Sequence, residues 1–68
     1  MLKSNFREII ETSPYKPSYI RDKIMKVHRN TFSGWMTGKH TPSVEDLFKL
    51  AYHLEKKVDE FYEWEEEQ

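Results

Sequence analysis

The sequence predicts an all-α domain of five short helices packed into a compact unit. Three observations carry this. Apolar residues recur three and four positions apart, the spacing of one helix face. Strict alternation of apolar and polar residues never lasts four residues, so no strand signal is present. Prolines, a glycine and capping residues punctuate the apolar stretches, as expected at helix ends. At 68 residues the chain is one domain at most, and packing must hold its short helices in place.

The first helix is expected to begin after Ser4, a good N-cap, with Phe6, Ile9 and Ile10 facing inward. Thr12, Ser13 and Pro14 end it, because the residue before a proline is pushed out of the helical region. Pro17 suits the first turn of a second helix, where its missing N–H costs nothing. Ile20, Ile24 and Val27 form its inward stripe, with Arg21, Asp22 and Lys23 outward. A third helix is expected from about Arg29 to Met36. Stepping 100° per residue puts Trp35 and Met36 beside Phe32 on the core face. Asn30, Ser33, Gly34 and Thr37 fall opposite, with Arg29 on the flank. Gly38 is a natural helix stop. Ser43 caps a fourth helix, with Asp46 three residues on, and Val44, Leu47, Leu50, Ala51 and Leu54 make its buried stripe. Val58, Phe61 and Tyr62 define a short fifth helix. Residues 1–62 thus form the domain, and residues 63–68 an acidic tail expected to fray.

Charge divides the chain. Residues 1–44 carry eight bases against three acids, net +5, while residues 45–68 carry three bases against nine acids, net -6. Such a split suggests one half facing a polyanion and the other turned away. There is no cysteine, which removes disulfides and thiolate metal sites. His28, His40 and His53 do not stand at metal-ligand spacing. No nucleophile-elbow, phosphate-loop or zinc-protease motif occurs. Neither catalysis, a metal nor a cofactor is expected. The longest apolar run is Leu50-Ala51-Tyr52, too short for a membrane span, and a cytoplasmic location is expected.

From Val27 to Tyr62 the chain resembles the lambda-repressor-like, Cro/C1-type (XRE-like) helix-turn-helix family. The residues that carry the resemblance are His28-Arg29-Asn30-Thr31-Phe32-Ser33-Gly34-Trp35, Gly38-Lys39, Pro42-Ser43, Leu47, Leu50-Ala51 and Val58-Asp59-Glu60-Phe61-Tyr62. There are departures. Arg21 follows Ile20 where a small residue is usual. Met25-Lys26, with one extra residue, stands where the turn usually has glycine. Pro17-Ser18 replaces the usual Gln at the start of the second helix, and Glu55 a C-cap glycine.

The resemblance implies a DNA-binding domain whose third helix enters the major groove. A helix about 10–12 Å wide fits a groove about 12 Å across. Only its exposed, N-terminal residues reach base edges, which selects Arg29, Asn30 and Ser33. Arginine matches guanine O6 and N7, and asparagine matches adenine N6 and N7. Gly34, without a side chain, is expected to allow close approach to DNA. Backbone phosphates would be met by Ser18 and Tyr19, by Thr31, and by Thr37, Lys39, His40, Thr41 and Ser43 in and beside the following loop. Trp35 is expected in the core rather than stacked on a base. The family's habit of pairing through the fifth helix implies a homodimer with Tyr62 and Trp64 as contacts. The expected function is a sequence-specific transcriptional regulator, a small repressor of phage or mobile-element type, with a double-stranded operator as partner and no small-molecule ligand. The alternative is a protein-interaction or inhibitor module on the same fold.

Overall fold

Residues 2–4 form a strand rather than a helix cap. In the computed structural model, which describes residues 1–66, strand β1 (Leu2–Ser4) pairs antiparallel with strand β2 (Tyr62–Trp64). Leu2 lies opposite Trp64, Lys3 opposite Glu63 and Ser4 opposite Tyr62. Glu67 and Gln68, the end of the expected tail, lie outside the described residues. The expectation of no strand is corrected here, as is the expected fraying of Glu63 and Trp64. Three-residue strands are too short to show alternation. Their partners stand at opposite ends of the chain, so no hairpin turn marks them. Backbone hydrogen bonds of 2.8 Å from Asn5 to Phe61 and from Glu65 to Met1 extend the closure. Lys3 adds exposed ion pairs to Glu63 and Glu65, each contributing less than about 1 kcal/mol.

Between the strands the chain is helical. Helix α1 (Phe6–Thr12) is followed by α2 (Pro17–Tyr19), which runs directly into a π-helix (Ile20–Met25). Helices α3 (Arg29–Thr37), α4 (Val44–Leu54) and α5 (Val58–Phe61) follow. With α2 and the π-helix taken as one, five helices lie among the described residues. Asn5, not Ser4, is the N-cap of α1, and the Ser4 hydroxyl accepts from the Phe6 N–H at 3.3 Å. Pro17 takes the first turn of α2 as expected. Ser43 caps α4, its hydroxyl accepting from the Asp46 N–H at 3.1 Å.

The π-helix was not legible as such. Its i→i+5 bonding widens the turn and takes up an additional residue. It ends at Lys26, a left-handed residue with φ 54°. Glu55, which ends α4, is also left-handed, with φ 55°.

Phe6 sits at the centre of the core. Its ring centroid lies 6.0 Å from Phe32, 5.9 Å from Trp35 and 6.0 Å from Phe61. Ile10, Ile20, Leu50 and Phe61 are fully buried around it, each contributing about 1.5–3 kcal/mol relative to exposure. Trp35 is 3% exposed, a core residue as expected. Met25 joins the core although the stripe omitted it. Val44, assigned to the buried stripe of α4, is instead 73% exposed. It lies in the first turn of the helix, beyond the reach of the core beneath Leu50 and Leu54.

Candidate functional site

Helix α3 is fixed at both ends by its own sequence. His28 holds an extended backbone before it, and its Nδ1 accepts from the Asn30 N–H at 3.1 Å. Gly38 closes it at φ 81°, a conformation that glycine adopts without steric cost. Burial of Phe32 and Trp35 sets the rotation of the helix about its axis. Arg29, Asn30, Thr31, Ser33 and Thr37 are therefore exposed together.

Each of the three expected base-reading residues is on this face. Arg29 has no carboxylate within ion-pair distance among the described residues. Asp22, the nearest sequence candidate for pairing it, is engaged by Arg21 at 2.7 and 3.0 Å. That hydrogen bond holds the Asp22 carboxyl below its ordinary range and raises the Arg21 guanidinium. Arg29 and the Asn30 side chain thus remain open to a ligand.

Gly34 corrects the sequence reading. It is buried, not open. A Cβ placed on it would come 2.7 Å from His40 Cδ2. The close approach that glycine allows here is to the chain's own imidazole. The His40 N–H donates to the Gly34 carbonyl at 3.1 Å, folding the loop back over the last turn of α3. A helical wheel places Gly34 away from Phe32 but cannot show a loop returning over it.

The residues expected at phosphates are exposed throughout. Thr31 lies on α3 near its start; Thr37, Lys39, His40, Thr41 and Ser43 run from its end to the start of α4; Ser18 and Tyr19 lie on α2. Two of their hydroxyls also serve the backbone: Thr37 donates to the Gly34 carbonyl at 3.4 Å, and Ser43 caps α4. Of the two residues expected at a dimer contact, Tyr62 is half-buried, its ring 6.5 Å from Phe6. Trp64 is 66% exposed, with its indole N–H on the Glu66 carboxylate.

Sequence reasoning missed two features. His28 is the cap of α3, a role signalled only by its place before Arg29. Lys23, Lys26 and Lys49, separated in sequence, line one open cavity. No group of three metal-ligating side chains occurs among the described residues. No helix among them is long and apolar enough to cross a membrane. No family model matches the chain, and no curated protein does.

Proposed function

We propose that the chain is a sequence-specific double-stranded DNA-binding regulator of the helix-turn-helix type. It acts in the cytoplasm as a small repressor, of the kind found in phages and mobile elements, and sets α3 into the major groove of an operator as a homodimer. The observation that carries this reading is the exposed face of α3. Arg29, Asn30 and Ser33 are exposed along the first five residues of the helix, while Phe32 and Trp35 are buried. Exposed hydroxyls, Lys39 and His40 follow in the next loop, and lysines and hydroxyls are groups that commonly meet backbone phosphates. Repression in this reading works by occupying the operator.

Selection of the purified chain against a random duplex library at one stated salt concentration tests the reading. Enrichment of a near-palindrome with half-sites about one helical turn apart is expected. Absence of any enriched sequence would overturn it. The second reading, a protein-interaction module, is favoured by one observation. Val44, Phe48 and Tyr52 form an exposed apolar stripe along α4, and such stripes suit a protein partner.

A further inference from the structure

We propose that the hollow between the π-helix and α4 is an anion site that takes phosphate groups. It is an open cavity of about 340 Å³. Lys23, Lys26, Lys49 and His53 line it, together with Tyr15 and Tyr19, and Ile24 forms its apolar floor. No carboxylate lines it, although the chain has 12 acids. None of the three lysines has an ion-pair partner among the described residues, whereas Lys3, Arg7 and Arg21 all do. Four carboxylates, Glu8, Asp59, Glu60 and Glu63, gather instead around a separate hollow between α1 and α5. Cations left unpaired around a concavity concentrate anions there.

The walls are built rather than incidental. Tyr15 and Tyr19 stack on each other, centroids 5.5 Å apart and planes 14° from parallel. Both rings line the cavity, and a phenol can donate a hydrogen bond to an anion. Lys26 reaches the cavity from a left-handed backbone, φ 54°, where glycine or asparagine would sit with less strain. The site shares only Tyr19 with the expected DNA contacts and none of its residues with α3, so it does not depend on the DNA-binding reading. Compact tetrahedral oxyanions with two or more charges fit three ammonium groups and two hydroxyls. Free phosphate compounds and nucleic-acid backbones both offer that chemistry.

Amide NMR of the full chain distinguishes the sources. The probes are inorganic pyrophosphate and a short duplex of arbitrary sequence, with ionic strength matched by sodium chloride. Saturable shifts of Lys23, Lys26 and Lys49 with pyrophosphate, absent with chloride, are the expected result and assign a free phosphate ligand. Shifts of the same amides with duplex alone assign a backbone phosphate. Either way, Lys49→Gln should weaken binding about tenfold, as for loss of a charge-assisted hydrogen bond. Lys26→Gly should also weaken it while raising the melting temperature, so lost binding cannot be laid to lost folding. Shifts with neither probe, or unchanged binding in both variants, would overturn the site. Arg29 and Asn30 amides report separately on α3, so either proposal can fail without the other.

Discussion

Asn30 and Lys39 differ in what their loss should do. If Asn30 reads a base edge, Asn30→Ala should lose about 1–3 kcal/mol against one base pair and relax preference there alone. Lys39→Ala should weaken every duplex alike and flatten the salt slope by about one. Affinity measured on single-base variants of the selected site, at several salt concentrations, separates the two. An unchanged preference in Asn30→Ala would remove it from the reading face. Tyr62 makes a different residue-scale case. Its hydroxyl is buried with no hydrogen-bond partner. Burial pushes its pKa above the ordinary 10.0, with the Ser4 hydroxyl drawing it weakly the other way without hydrogen-bonding geometry. The folded chain thus holds this proton more tightly than the unfolded chain. Its contribution to stability is complete below the unfolded value and is lost as pH rises through the folded one. Tyr62→Phe removes an unpaired polar group, and should keep or raise stability by up to about 1 kcal/mol. It should also flatten the fall in stability above pH 10, measurable by denaturant unfolding. A steeper alkaline loss in the variant would contradict this.

The elements that the sequence declared were those with a local signature. Pro17 at a helix start, Gly38 at a helix end and Ser43 with Asp46 are decided within four residues, and the structure has each in place. The elements that stayed hidden depend on distant partners or on a change of helical pitch. The pairing of Ser4 with Tyr62 joins the two ends of the chain. The π-helix has the composition of an α-helix, and only the extra residue at Met25-Lys26 hinted at it. The exposed face of α3 was legible because Phe32 and Trp35 fix its rotation, whereas the return of His40 over Gly34 was not. Helix ends also carry the clearest tests. Glu55 sits left-handed at the end of α4. That conformation costs an L-residue about 1–2 kcal/mol, and glycine's extra unfolded-state freedom offsets roughly 0.5–1 kcal/mol of the relief. Glu55→Gly should therefore stabilise by about 0.5–1 kcal/mol and raise the melting temperature by a few degrees, about 4–8 °C per kcal/mol at this size. It should leave phosphate and duplex binding unchanged, which makes it the control for Lys26→Gly. At the other kind of helix end, His28→Ala should destabilise by about 0.5–2 kcal/mol through loss of the α3 cap.

At the scale of the whole molecule, the sheet decides which aromatic residues are available to a second copy. Tyr62 is committed to the fold: it pairs with Ser4 and covers Phe6, so its substitution reports on folding before it reports on association. Trp64 is two strand positions further along β2 and is exposed, with Lys3, Glu63 and Glu65 forming a charged rim nearby. Trp64→Ala is therefore expected to shift the monomer–dimer balance towards monomer in sedimentation, with stability changed by less than about 0.5 kcal/mol, as for an exposed position. Phe48→Glu, on the exposed face of α4, serves as the comparison. A balance unmoved by Trp64→Ala but shifted by Phe48→Glu would relocate the contact to α4. The arrangement of the two α3 helices would then differ, and with it the half-site spacing recovered by duplex selection. The two experiments thus constrain each other, since the spacing of the selected site must suit a dimer joined at the contact that the variants locate.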